Sequence, residues 1–257
     1  MLKDTITIIT GAGSGIGRAT ALAFAAAGAC VVLAGRREEP LNETARAVRM
    51  LGAKAWVRRV DLEDGDAAAA LGAWALHEFG HVDVLVNNAG HSTKVRSLRY
   101  INPHEFDSVF KVNVDAVYRL TQSLLASMIA RESGTIVTVA SMAALGPGLL
   151  GGIAYGAAKA AEVALMKGMN AELRKYGIRA CTIIPGEVNT AVLDNRPAPP
   201  SDNARTDMMH AEDIAAAIML CVTLPARTLV EQIVMTPTRP RDLTAELAIA
   251  AEFGRPE

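Results

Sequence analysis

The sequence predicts one α/β domain, a doubly wound parallel sheet of about seven strands with helices on both faces. Three observations predict it. Short apolar runs rich in β-branched residues recur along the chain, each followed by a stretch with helical period. Repeated β-α units of this kind build a parallel sheet with right-handed crossovers. The first run leads into a glycine-rich turn, Thr10-Gly11-Ala12-Gly13-Ser14-Gly15-Ile16-Gly17, and then into an alanine-rich helix. Finally, 51% of the 257 residues are hydrophobic, ample for a sheet buried on both faces.

In order, the apolar runs place strands at 6–9, 30–34, 55–60, 84–87, 134–139, 179–184 and 231–235. Helical period places helices at 17–27, 41–51, 64–79, 104–130, 155–176 and 211–222. No repeat, low-complexity block or long linker divides the chain, so 1–257 reads as a single domain. Two loops stand out, the Gly/Pro-rich 146–152 and the Pro-rich, polar 195–207. The tail 243–253 is either a helix that reaches a neighbouring subunit or a frayed end.

The net charge of −1 gives no general attraction to nucleic acid or anionic membrane. Cys30, Cys181 and Cys221 are odd in number and far apart, which fits neither a disulfide framework nor a metal site. The five histidines also lack metal-ligand spacing, so no metal is expected. Met1-Leu2-Lys3-Asp4 runs straight into a strand, without a signal peptide, and no apolar stretch has the length of a membrane span. A cytoplasmic protein is expected.

Four motifs carry chemistry. The strand, glycine turn and helix at the N-terminus form the context of a dinucleotide-binding loop: glycine lets the backbone approach a pyrophosphate, and the helix start offers free N–H groups and a positive dipole end. Asn88-Ala89-Gly90 follows the fourth strand, and Ser141 the fifth. Tyr155 and Lys159 stand four residues apart in Y-G-A-A-K, one helical turn, so they share a face. A phenol beside a fixed ammonium has its phenolate stabilised and can exchange a proton with a substrate oxygen near neutral pH.

The spacing Gly11, Gly15, Gly17 after Thr10, with Asn87-Asn88-Ala89-Gly90, Asn113, Ser141 and Tyr155-x-x-x-Lys159, resembles the classical short-chain dehydrogenase/reductase family, from Thr10 to about Val234. The resemblance implies a Rossmann-type fold and hydride transfer between a nicotinamide cofactor and a carbonyl or secondary alcohol. It makes Tyr155 the general acid or base, and gives Lys159 the tasks of easing proton loss from Tyr155 and holding the nicotinamide ribose. Ser141 would donate to the substrate oxygen, and Asn113 would anchor a water beside Lys159. The cofactor would lie on Gly11, Ser14, Gly15, Ile16 and Gly17, on Asp61 and Leu62 at the adenine, on Asn88, Ala89 and Gly90, and on Pro185, Gly186, Val188 and Thr190 at the nicotinamide. Ser141 also reads as a turn cap, Asn113 as a mid-helix side chain bonded to backbone, and Asp61 as a cap for the helix near Asp64. A homodimer or homotetramer is implied. The second strand ends in Ala34-Gly35-Arg36-Arg37. Gly35 stands where NAD-binding relatives carry an acid for the ribose hydroxyl, and Arg36 suits a 2′-phosphate. NADP(H) is therefore expected, with NAD(H) the alternative; Glu38 and Glu39 would repel a phosphate if they faced it.

Substrate contacts would come from the loops after strands four, five and six. These hold the cations Lys94, Arg96, Arg99, Arg196 and Arg205, the half-polar His91, and an apolar wall of Met142, Leu145, Leu149, Leu150 and Ile153. One of the cations would hold the carboxylate of a 3-oxo or 3-hydroxy acid. The last strand lacks Asp-Gly-Gly and reads Val234-Met235-Thr236-Pro237, which looks more like the NADP-dependent hydroxy-acid and small-carbonyl subgroup than like acyl-carrier reductases, and leaves dimer versus tetramer open.

Overall fold

A computed structural model describes residues 2–256; Met1 and Glu257, the ends of the expected domain, lie outside the described residues. Strands β1 (Ile6–Thr10), β2 (Cys30–Gly35), β3 (Ala55–Arg59), β4 (Val84–Asn87), β5 (Gly134–Val139), β6 (Ile178–Pro185) and β7 (Gln232–Met235) form one sheet. Their order is β3-β2-β1-β4-β5-β6-β7, and each neighbouring pair is parallel. Between them run α1 (Gly15–Ala26), α2 (Glu38–Met50), α3 (Gly65–Phe79), α4 (Pro103–Phe110), α5 (Ala116–Ala130), α6 (Ile153–Leu173), α7 (Asp202–Arg205), α8 (Ala211–Thr223) and α9 (Thr244–Glu252).

The alternation of side chains along a strand splits the core in two. Ile9, Val31, Leu33, Val137 and Ile183 pack on one face with Phe24 of α1 and Ile218 of α8. Ile8, Val32, Leu85 and Ile136 pack on the other with Leu120 and Leu124 of α5 and Met166 of α6. The three cysteines are free and buried. No described helix is long and apolar enough to cross a membrane.

The chain winds outward in both directions from β1 and β4. Such a reversal opens a crevice beyond the carboxyl ends of the strands, where ligands bind in open α/β sheets. Thr10 fastens this point. Its Oγ1 accepts from the N–H groups of Asn88 and Ala89, both at 3.0 Å, while Asn88 Nδ2 donates to the Thr10 carbonyl at 2.9 Å.

Three segments differ from the sequence reading. The helix expected over 104–130 is broken by a π-turn at Lys111–Asp115, a widened turn of the kind found at functional sites, and Asn113 sits in its middle. The loop expected without period over 195–207 follows directly on a 3-10 turn at Ala191–Asn195 and holds the single turn of α7, and Val188 bridges Met209 beside it. The tail is a helix, α9, docked on its own chain: Arg99 reaches Glu252 at 2.8 Å, and Arg241 pairs with Glu246.

Candidate active site

At the carboxyl ends of the strands lies a cleft of about 960 Å³, toward the upper end of the size range for cofactor sites. One end is the glycine turn. Gly11 and Gly15 have φ of +66° and +50°, a region that favours glycine, and a Cβ on Gly15 would lie 3.1 Å from Thr190 Cγ2 across the cleft. Gly11, Ser14, Gly15 and Ile16 line the cleft, and so do Asn88, Ala89 and Gly90. Gly17 does not. Its missing Cβ would meet the Gly11 carbonyl oxygen at 2.3 Å, so Gly17 is buried where helix α1 packs against the turn rather than in a ligand's path. Arg18 is exposed and also outside the lining.

Gly35, Arg36 and Arg37 form one rim. Arg36 is exposed and enters no ion pair among the described residues. Of the two acids that follow, Glu39 turns to Arg46, 3.3 Å away. Asp61 and buried Leu62 form the adjacent wall. Asp61 accepts from the Glu63 N–H at 3.1 Å, but the cap of α3 is Asp64, which accepts from Asp66 and Ala67. At the other end, Pro185, Gly186, Val188 and Thr190 line the cleft where β6 stops.

Between the ends stand Ser141, Tyr155 and Lys159. Ser141 caps a short turn, its Oγ accepting from the Ala143 N–H at 3.2 Å; its own O–H remains to donate, so the cap and donor readings are compatible. Tyr155 is half-buried on the first turn of α6. Lys159 Nζ lies 5.5 Å from its ring centroid and donates to the Val139 carbonyl at 2.9 Å. Burial opposes the Lys159 cation, yet Glu162 and Tyr155 outweigh it and raise its pKa.

Asn113 is fully buried behind the cleft wall. Its Nδ2 donates to the carbonyls of His91 and Val109, at 2.9 and 2.8 Å, so the backbone-bonding reading holds. Its Oδ1 has no partner among the described residues. A Cβ on Gly90 would fall 2.6 Å from that oxygen and 3.3 Å from Lys159 Nζ, so Gly90 is where the two polar groups converge. A buried acceptor left open there asks for a hydrogen-bonding partner such as water.

The substrate end is only partly as expected. Met142 and Leu150 line it, but the rest of its apolar surface comes from Val192, Leu193 and Leu247. Leu145 is exposed and outside the lining. His91 is half-buried in the wall, Nε2 lying 3.1 Å from the Ser108 carbonyl oxygen. Leu247 of α9 and the buried Glu162 were not legible as site residues. The only sequence signal for Glu162 was an acid at i+3 from Lys159, on the buried side of the helix. Among the described residues no group of three His, Cys, Asp or Glu side chains is placed to hold a metal.

A glycine turn, a fold reversal and a Ser-Tyr-Lys set thus share one cleft at the carboxyl ends of the strands. The family model for the short chain dehydrogenases matches residues 5–200, and the chain belongs to that family. An uncharacterized oxidoreductase of Staphylococcus epidermidis is 30% identical over 236 residues, 92% of this chain and 98% of the relative. A metagenomic short-chain oxidoreductase in complex with NADP superposes with a TM-score of 0.81 at 30% identity, over 93% of this chain and 99% of its own. An alcohol dehydrogenase from the archaeon Thermococcus sibiricus, complexed with 5-hydroxy-NADP, gives 0.82 at 25% identity, over 93% and 100%.

Proposed function

We propose that the protein transfers hydride between NADP(H) and a carbonyl or secondary alcohol. The observation that carries the reading is the shared cleft of Ser141, Tyr155 and Lys159 with the glycine turn. The residues fit a dinucleotide: a glycine at 11 lets the turn close on Asn88 and Ala89, Gly15 leaves the cleft open toward Thr190 for the pyrophosphate, Asp61 keeps one carboxylate oxygen free for an adenine amine, and Val188 and Thr190 stand ready for the carboxamide. Arg36, unpaired beside Gly35 on the rim, favours NADP(H) over NAD(H), since a guanidinium suits a phosphate. The NADP complexes of two structural neighbours support the same choice.

When bound, the cofactor supplies or accepts the hydride. In reduction, Ser141 donates to the carbonyl oxygen and stabilises its growing negative charge. Tyr155 would give its phenolic proton to that oxygen, the proton that balances the hydride the cofactor would supply. Lys159 stabilises the phenolate left behind. The open Asn113 Oδ1 holds a water that joins Lys159 to solvent and restores the proton. Oxidation reverses each step. A homo-oligomer is part of the proposal, because the edge strand β7 leaves Val234 52% exposed, an apolar edge that natural sheets usually cover.

The test is cofactor consumption with a panel of ketones, aldehydes and oxo acids, run with NADPH and with NADH. Turnover with NADPH well above NADH is expected. Turnover with NADH alone overturns the cofactor assignment, and tight nucleotide binding without any turnover overturns the enzyme reading.

A further inference from the structure

The five cations around the substrate loops have different fates. Lys94 is exposed and outside the cleft lining. Arg99 is spent on Glu252 and the Ala251 carbonyl. Arg205 pairs with Asp194. Arg196 reaches the cleft but lies 2.7 Å from Glu187, and with Arg241 and Glu246 forms a cluster of two cations and two anions. Burial works against the Glu187 carboxylate there, yet Arg241 and Arg196 hold it below its ordinary pKa, so that cluster is charged and self-neutralised.

Arg96 is different. It is only 4% exposed and lines the same cleft as Tyr155. Its Nη1 donates to Ser92 Oγ and to the Gly151 carbonyl, while its buried Nε has no partner among the described residues. No carboxylate among the described residues pairs with it. Burial, with the nearby Arg196 guanidinium, pushes its pKa down to about 10, which still leaves a cation at neutral pH. A buried charge without a counter-charge is costly, and proteins pair such groups. Here the missing partner has an obvious place to enter, since the unpaired side chain forms a wall of the substrate cleft.

The backbone also sets a short distance. A Cβ on Gly151 would lie 3.2 Å from Tyr155 Cδ1, and one on the next residue, Gly152, 2.9 Å from Arg96 Cδ. Tyr155 and Arg96 thus flank consecutive glycines, whose Cα atoms are about 3.8 Å apart. An anion on Arg96 and an oxygen at Tyr155 would belong to one small molecule.

We propose that Arg96 anchors a substrate carboxylate, so that the substrates are short oxo or hydroxy acids rather than neutral carbonyls. The inference rests on the oxidoreductase reading for its chemistry, but the anion site itself does not require turnover. A guanidinium binds a carboxylate through charge-assisted, geometrically specific hydrogen bonds. Arg96 would then hold the acid end while Ser141 and Tyr155 take the reacting oxygen.

The experiment pairs binding with turnover. Calorimetry titrates 3-hydroxybutanoate and its methyl ester into the protein with NADP+, and kinetics compare 3-oxobutanoate with its methyl ester under NADPH. Wild type, Arg96→Lys and Arg96→Gln are used, each checked by thermal melt for folding. The wild type should prefer acid over ester by about tenfold to a hundredfold, the worth of one hydrogen bond to a charged group. The acid-to-ester ratio should collapse toward one in Arg96→Gln, with Arg96→Lys between. A purely structural Arg96 would lower acid and ester together and keep the ratio, which overturns the proposal. A wild type that binds no acid, or prefers the ester, overturns it too. Acid-selective binding without turnover of any carbonyl would support the anion site and sink the reductase reading instead.

Discussion

Lys159 and Glu162 form an ion pair sealed inside the protein: the ammonium lies 2.7 and 3.0 Å from the two carboxylate oxygens, and the residues are 2% and 1% exposed. With the bond to the Val139 carbonyl at 2.9 Å, the pair fixes the ammonium in place. Such a pair contributes little net stability, because removing both charges from water offsets their attraction. Its effect is on position: the lysine beside Tyr155 has few other places to go.

A pH dependence of stability follows. Burial pushes the Glu162 carboxyl up to about 7, although Lys159 opposes the shift. Between the ordinary carboxylate range and about pH 7 the folded state therefore holds a proton that the unfolded chain has already released, and the ion pair is fully charged only above that range. Stability contributed by that proton is full below the ordinary carboxylate range and is lost as pH rises to about 7, at no more than about 1.4 kcal/mol per pH unit for one group. Melting curves from pH 4.5 to 7.5 should show wild type losing stability relative to Glu162→Gln as pH rises. Parallel curves for the two proteins would contradict the assignment.

Arg36→Leu separates the cofactors. Loss of one charge-assisted contact to a phosphate should weaken NADPH by about tenfold to a hundredfold and leave NADH within about threefold. Equal effects on both, measured by fluorescence titration, would remove Arg36 from the phosphate site.

Gly17→Ala tests packing rather than binding. Its Cβ would fall 2.3 Å from the Gly11 oxygen and 2.6 Å from Asn88 Nδ2. Overpacking of this kind costs about 1–3 kcal/mol, so the melting temperature should fall. An unchanged melting temperature with lost nucleotide affinity would return Gly17 to the cofactor site.

The sheet was legible because its evidence is local. The β-branched runs at 6–9, 30–34 and 134–139 and the glycine turn fall where period and backbone freedom require them. Tyr155 and Lys159 were legible because one helical turn fixes their spacing. Other features depend on tertiary placement that spacing does not encode. The π-turn around Asn113 is invisible to a periodicity of 3.6 residues. Arg96 stood in the sequence as one of five equal cations, and only the burial of its side chain and the pairing of Arg196, Arg99 and Arg205 single it out. Leu247 reaches the cleft from a tail whose sequence allowed a helix reaching a neighbouring subunit or a frayed end; Arg99 and Arg241, paired with Glu252 and Glu246, dock it on its own chain instead.

Tyr155 is proposed to move the proton in an NADP(H)-dependent reaction. The most direct measurement is NADPH affinity and carbonyl turnover of Tyr155→Phe beside wild type. The phenyl ring keeps the packing and removes only the hydroxyl. Turnover should fall by about 10²- to 10⁴-fold, the usual worth of a general acid, with NADPH affinity within about threefold. A Tyr155→Phe protein that turns over at the wild-type rate would contradict the account.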